Sequence, residues 1–191
     1  MPRPASDKRE RLSAAAAELV ASHGLEGATI AAIAARAKVP PGSVYYYLAT
    51  KADVADAAVA AWASTRAAAQ ERWSAAGDPR ARLTAYLDSA VADAPRTLKL
   101  GTIGTLAAQL RATAPGSADA AAQTIRDTVA WAAANFEQLG FGAEASAARA
   151  LHLVTGIEGA GQLAHAIGDA TPIEREGAHL SRWVASSRYT A

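Results

Sequence analysis

The segment TIAAIAARAKVPPGSVYYYLATK, residues 29–51, decides the fold. Thr29 can cap a helix whose apolar residues recur every three or four positions, and this pattern ends near residue 38. Pro40 and Pro41 interrupt the pattern and restart it, because proline is well tolerated in a first helical turn. We predict a second short helix from about Pro41 to Tyr47. The segment therefore combines a helix, a tight turn and a helix.

A first helix precedes this segment. Ser6 or Asp7 can cap it, and its apolar positions recur at helical spacing until Gly24, which suits a left-handed cap. Three short helices in about 45 residues make a compact unit, in which the second and third form a helix-turn-helix.

The remaining residues favour further helices. Hydrophobic residues make up 51% of the chain, but many are alanine, which is the strongest helix former. Proline and glycine clusters predict helices at about 51–76, 80–93, 96–113, 117–139, 144–168 and 173–187. We expect an all-α chain of about nine helices. Its domains would be an N-terminal helix-turn-helix domain, residues 1–50, and a C-terminal helical domain, residues 51–191.

Composition excludes several kinds of site. The chain has no cysteine, so it forms no disulfide and no thiolate metal site. No stretch approaches the ~18 continuous apolar residues of a membrane span, and we expect a cytoplasmic protein without membrane contact. The net charge is +1, yet seven basic and four acidic residues give residues 1–51 about +3. This asymmetry is typical of a small basic module on a near-neutral body.

The second helix of the helix-turn-helix carries the residues that we expect to contact DNA. Val44 and Leu48 should face inward, whereas Ser43, Tyr46 and Tyr47 share an outer face. Hydroxyl groups there can bond to phosphates, and aromatic rings can contact sugars or thymine methyl groups in the major groove.

Neighbouring residues extend this candidate DNA-binding site. Gly42 allows a close approach of the helix, and Pro41 offers apolar contacts. Thr29 and Lys51 are placed to contact backbone phosphates. Tyr45, next to Val44, is expected to lie at least partly in the core.

Residues 11–54 resemble the N-terminal domain of the TetR family of transcriptional regulators. The matching positions are His23-Gly24, Thr29, Ile33-Ala34, Ala37, Val39, Gly42, Val44-Tyr45, Tyr47-Leu48 and Lys51. The resemblance implies a homodimer, in most cases a repressor, that binds a palindromic operator. It also implies a helical C-terminal domain that dimerises and takes up a small molecule.

Three residues depart from the family pattern. Lys38 replaces the usual glycine of the turn, so either the turn is distorted or Lys38 is left-handed. Leu48 replaces a common phenylalanine and fills the core less. Pro40 replaces a serine or threonine cap, and neither Pro40 nor Pro41 has an N–H group. We therefore expect modest sequence discrimination.

Large apolar residues are spaced among alanines in the C-terminal part, where they form either ordinary core or an apolar pocket. Since few charges lie there, the resemblance favours a neutral or weakly polar aromatic effector. The candidate ligand-binding residues are Trp62, Tyr86, Leu100, Ile103, Leu106, Gln109, Leu110 and Trp131.

The last two predicted helices correspond to the dimerising helices of the family. The candidate interface residues are Leu151, Val154, Ile157, Leu163, Leu180, Trp183 and Val184. Gly156, Gly159 and Gly161 do not follow a strand, so close helix packing explains them better than a phosphate loop.

The main hypothesis is thus a ligand-responsive homodimeric repressor. An alternative is a constitutive dimeric DNA-binding protein without a small-molecule effector. A helical enzyme or carrier is a third possibility, but the sequence offers no catalytic triad, metal cluster or paired carboxylates. We expect no catalytic residue, no metal and no cofactor.

Overall fold

The computed structural model describes residues 5–187 of the chain, with side chains from Asp7 onward. This part consists of ten helices joined by short turns, and it contains no strand, which confirms the all-α prediction. The helices are α1 (Ala5–Gly27), α2 (Ile30–Ala37), α3 (Pro41–Val44), α4 (Lys51–Ser74), α5 (Pro79–Ala92), α6 (Ala94–Leu100), α7 (Ile103–Leu110), α8 (Pro115–Gln138), α9 (Ala143–Ile167) and α10 (Thr171–Ser186).

Two glycines with positive φ set helix boundaries. Gly101 has φ 70° and ends α6, so the segment predicted as one helix over 96–113 forms α6 and α7. This division accounts for ten helices instead of nine. Gly24, with φ 71°, breaks α1 at the predicted position, but the helix resumes and reaches Gly27. Both boundaries follow from the freedom of glycine to adopt conformations that strain other residues.

The helices group into two compact units. The first contains the described residues up to Thr65 together with 103–122, and the second contains 66–102 and 123–187. Helices α4 and α8 each contribute residues to both units. The division of the chain into domains at residue 50 stays a prediction.

The first unit packs α1 against α2 and α7, and α2 against α3. Its core holds apolar side chains that repeat at helical spacing, among them Leu12, Ala16, Val20, Ile33, Val44 and Leu48. Asp56 of α4 accepts a hydrogen bond of 2.6 Å from Ser117, at the start of α8. Burial of both Val44 and Leu48 means that the helix-turn-helix presents its inner face to this core, as the sequence predicts.

The second unit packs α10 against α5 and α9, and α6 against α9. Its core contains most of the large side chains of this part of the chain, including Trp73, Leu83, Tyr86, Leu87, Phe136, Leu153 and Leu180. Small residues permit the close packing: a Cβ on Gly161 would lie 2.8 Å from Cγ2 of Thr102, and one on Gly156 would lie 2.8 Å from Oε1 of Glu176.

Among the helices of the described residues, none combines the length and the apolar character that crossing a membrane requires.

Candidate DNA-binding site

The turn between α2 and α3 begins at Lys38. This residue has φ 54° and ψ 48°, so it accepts the left-handed conformation instead of distorting the turn. The N–H of Val39 donates to the carbonyl of Ala34 at 3.0 Å, which closes the end of α2. Such a conformation costs a non-glycine residue about 1–2 kcal/mol.

Arg11 supports this strained turn from helix α1. Its Nε and Nη2 atoms donate to the carbonyl oxygen of Ala37 at 3.0 and 2.6 Å, and Nη2 also donates to that of Lys38 at 2.9 Å. A guanidinium group suits this position because the last carbonyls of a helix carry partial negative charge. Sequence reasoning missed Arg11, since no local pattern links it to a turn 26 residues away.

Helix α3 is shorter than the predicted helix over 41–47. It ends at Val44, and residues 45–47 follow as a turn in which the N–H of Leu48 donates to the carbonyl of Val44 at 2.8 Å. Two properties of the sequence explain the short helix. Pro40 provides no side-chain cap, and tyrosine has a modest helix propensity.

Tyr46 lies on the outer face as predicted, whereas Tyr45 and Tyr47 lie in environments different from those predicted. Tyr45 is 60% exposed and Tyr46 is 85% exposed, whereas Tyr47 is half-buried. The interpretation of Tyr45 as partly core is therefore wrong. Tyr47 lines a groove of about 320 Å³ with Leu48, and its ring lies 5.0 Å from that of Tyr46.

Tyr47 is half-buried because its side chain lies in the groove that Leu48 also lines. Pro41 and Gly42 are exposed, and Ser43 is half-buried. The accessible surface around α3 consequently contains Pro41, Gly42, Tyr45 and Tyr46, which we call the tyrosine face.

Thr29 and Lys51, the two residues predicted to contact phosphates, both make hydrogen bonds within the chain. Oγ1 of Thr29 accepts the N–H of Ala32 at 3.2 Å, which makes Thr29 the N-cap of α2. Lys51 donates from Nζ to the carbonyl oxygens of Leu25 and Glu26 at 2.8 and 3.0 Å. Its ammonium group thus closes the end of α1, so in this structure it is not aimed at a free phosphate position.

The start of α4 is occupied by an acidic side chain. Oδ2 of Asp53 accepts the N–H groups of Ala49 and Thr50 at 3.0 and 2.8 Å, while Oγ1 of Thr50 accepts the N–H of Asp53 at 3.1 Å. This reciprocal pair is a capping box. The hydrogen bonds from Thr50 are the main cause that lowers the pKa of Asp53 below its ordinary value.

The eight candidate ligand residues do not all belong to one unit. Trp62, Ile103, Leu106, Gln109 and Leu110 lie in the first unit, whereas Tyr86, Leu100 and Trp131 lie in the second. Gln109 is exposed, which does not suit the role of orienting a ligand in an apolar pocket. Within the second unit, the rings of Tyr86 and Trp131 are 6.1 Å apart and form part of an aromatic cluster.

The candidate dimer residues also fall into two groups. Val154, Ile157, Leu180 and Val184 are buried in the core of their own protomer, and Trp183 is half-buried. They are therefore not available as a surface, which corrects that part of the expectation. Leu151 and Leu163 are 58% and 52% exposed, and Ile167, which the sequence analysis did not select, is 57% exposed.

Together, a buried helix-turn-helix core and an exposed tyrosine face define the class of a helix-turn-helix DNA-binding protein with a helical C-terminal part. Residues 12–58 match the family model described as bacterial regulatory proteins, tetR family. No curated protein matches the chain at a significant level.

Solved structures of TetR-family regulators resemble nearly the whole chain in fold. A TetR transcriptional regulator from Chloroflexus aurantiacus is 24% identical, with a TM-score of 0.76 over 97% of this chain and 98% of that one. A TetR-family regulator from Cytophaga hutchinsonii is 16% identical and covers all of both chains with a TM-score of 0.78. One from Legionella pneumophila is 19% identical, with a TM-score of 0.77 over 90% and 94% of the two chains. At these identities the likeness establishes the fold.

The family model and the fold agree: residues 12–58 match the N-terminal domain of the TetR family, and the fold of the chain is that of solved TetR-family transcriptional regulators. Both the family and the fold are those of regulators that bind DNA.

Proposed function

We propose that the protein is a homodimeric repressor that binds a palindromic operator and releases it when a small apolar or aromatic molecule binds. The observation that carries the DNA-binding part is the tyrosine face. Two aromatic side chains, Tyr45 and Tyr46, are largely exposed in the turn that follows the second helix of the helix-turn-helix. Large exposed aromatic groups at this position suit contacts with sugars, phosphates and thymine methyl groups.

DNA binding by the tyrosine face is expected to depend on a few polar contacts. Tyr46 offers a hydroxyl at the most exposed position, in the turn after α3, and Ser43 offers a half-buried one on α3 itself. Since α3 is a single turn and starts with two prolines, it has few N–H groups to donate. We infer that the protein reads few bases directly and relies on the fit of the duplex to this face.

Dimerisation is supported by the exposed apolar residues of α9. Leu151, Leu163 and Ile167 lie on the solvent side of this helix, and the exposed residues between them include the small Thr155 and Gly159. Such a surface suits close contact with the same helix of a second copy about a twofold axis. Two recognition helices related by that axis would enter successive major grooves about 34–36 Å apart.

Effector response requires that ligand binding favours the conformation that does not fit the operator. Helix α4 is the candidate lever, because its residues up to Thr65 belong to the unit of the helix-turn-helix and its later residues to the second unit. A change in the second unit that displaces the end of α4 would be transmitted along a continuous helix.

The test uses the full-length chain and fluorescently labelled DNA from upstream of its own gene. Fluorescence anisotropy should show binding by the unaltered protein and loss of binding by the double variant Ser43→Ala, Tyr46→Ala. Ser64→Ala, an exposed serine on α4, is the matched control. Size-exclusion chromatography checks that the variants keep their oligomeric state. Undiminished binding by the double variant would reject Ser43 and Tyr46 as DNA contacts.

The same assay separates a ligand-responsive repressor from a constitutive DNA-binding protein. A panel of neutral aromatic compounds is added to the preformed complex, and the fall in anisotropy is measured. Release by at least one compound supports the proposal. If no compound that binds the free protein releases DNA, the constitutive alternative is favoured.

A further inference from the structure

Lys38 has an unusual backbone conformation for a lysine. Within the described part of the chain it is the only non-glycine residue with a positive φ, which is 54°. A side chain in the left-handed region brings Cβ close to the following carbonyl oxygen, so glycine is the ordinary choice there. Strained residues of this kind are concentrated at functional sites. A lysine at this position therefore requires an explanation beyond the turn itself.

The turn is held by backbone atoms. The N–H of Lys38 donates to the carbonyl of Ala35 at 3.2 Å, and its own carbonyl accepts a hydrogen bond of 2.9 Å from Nη2 of Arg11. The next residue, Val39, is buried and donates to the carbonyl of Ala34. None of these hydrogen bonds involves the side chain of Lys38, so glycine would fit the same turn.

The ammonium group of Lys38 is available to a partner from outside the chain. Lys38 is exposed, and no residue in the described range forms a hydrogen bond or an ion pair with its Nζ atom. Glu18, the acidic residue that lines the same groove as Lys38, is already paired with Arg36, whose Nε donates to Oε2 at 2.7 Å. Lys38 is thus a free cation next to the start of α3.

The surface beside Lys38 is positively charged and unobstructed. A groove of about 440 Å³ along α1 and α2 is lined by Arg11, Arg36, Lys38 and Glu18, and its other lining residues are alanines. Three cations and one carboxylate give this surface a positive potential, which attracts an anion. The small alanine side chains leave room for a polyanion to approach.

We infer that Lys38 binds a phosphate of the DNA backbone beside the point where α3 meets the duplex. In a helix-turn-helix the first residues of the second helix approach the base edges, and Lys38 lies three residues before Pro41, where α3 begins. The side chain is a compact charge on a long flexible stem, which suits a phosphate oxygen better than the fixed donors and acceptors of a base edge. The left-handed backbone sets the direction in which this stem leaves the turn. The contact rests on the proposed binding of DNA.

The experiment measures binding of the full-length protein to labelled DNA from upstream of its own gene, by fluorescence anisotropy over a series of salt concentrations. Lys38→Gln removes the charge and keeps the strained backbone. Losing one phosphate contact should make the slope of log K against log salt shallower by about 0.9, which lowers the affinity about eightfold near 0.1 M salt and leaves it unchanged near 1 M. Lys38→Arg keeps the charge and should keep the slope. Lys99→Gln, at an exposed lysine of α6, is the matched control for the loss of one charge.

Lys38→Gly separates a role in binding from a role in the turn. Glycine relieves the left-handed strain, although it makes the unfolded chain more flexible, so Tm should rise by about 2 °C in thermal unfolding followed by circular dichroism. The affinity for DNA should fall as it does in Lys38→Gln. A lower Tm in Lys38→Gly would mean that the lysine side chain supports the turn, and would overturn the inference.

Two other results bear on the phosphate contact and on the proposed function separately. An unchanged salt slope in Lys38→Gln, or an equal change of slope in Lys99→Gln, would overturn the contact and leave DNA binding intact. Absence of binding by the unaltered protein at every salt concentration would instead reject the proposed function, and the contact with it.

Discussion

Replacing Arg11 by methionine tests whether the turn of the helix-turn-helix is supported from α1. Methionine keeps much of the apolar stem of arginine but cannot donate to the carbonyl oxygens of Ala37 and Lys38. Those carbonyls lie at the end of α2, next to a residue with φ 54°. The variant should therefore lose stability at the strained turn.

The size of the expected stability loss follows from the two carbonyl oxygens that accept hydrogen bonds from Arg11. A hydrogen bond that involves a charged group contributes about 1.5–3 kcal/mol when buried. The Arg11 side chain is 28% exposed, and water can partly replace it at each carbonyl. We therefore expect a loss of about 2 kcal/mol in the free energy of unfolding for both acceptors together. For a chain of this length, such a loss lowers Tm by roughly 4–8 °C.

The assay is thermal unfolding by circular dichroism, with Arg9→Met as the control because Arg9 is exposed on the same helix. The control should change Tm by no more than about 1–2 °C, as is usual for surface substitutions. Operator affinity, measured by anisotropy, should fall in Arg11→Met more than in Arg9→Met, since the turn sets the orientation of α3. Equal Tm values for both variants would mean that Arg11 does not support the turn.

Two further predictions concern the start of α4 and the surface of α9. Asp53 has a lowered pKa in the folded chain, so its stabilising effect is present above the ordinary value of 3.8 and is lost as pH falls through the lower, folded pKa. Asp53→Asn should therefore lower Tm at pH 7 and cease to differ from the unaltered protein at strongly acidic pH; a constant difference would contradict this. Leu163→Glu should yield a monomer in light scattering, whereas Ala145→Glu on the same helix should remain a dimer. A Leu163→Glu variant that stays dimeric would exclude the exposed apolar surface of α9 as the dimer interface.

Local sequence patterns were sufficient to predict the helices and the helix-turn-helix. Capping residues such as Thr29 act within a few positions, so their effects can be predicted without tertiary structure, although the break at Gly101 was not predicted. The direction in which Val44 and Leu48 point also followed from helical spacing.

Predictions that depend on distant residues were less successful. Periodicity shows that α9 has apolar residues, but Leu151 is exposed whereas Val154 is buried, because α10 covers one side of α9 and nothing in the local pattern states which. Likewise, Lys51 was expected at a phosphate, and its carbonyl partners lie 25 and 26 residues earlier in the chain.

The internal pairing of basic side chains bears on how the protein finds and holds DNA. Lys51 and Arg11 bind helix-terminal carbonyls, and Arg36 pairs with Glu18, so three of the seven basic residues in the first 51 are engaged within the protomer. Each phosphate neutralised by a cation adds about −0.9 to the slope of log K against log salt concentration. A complex with few such pairs releases few counterions, so its affinity falls slowly as salt rises. Discrimination between DNA sequences is then expected to rest on the short-range fit of the tyrosine face.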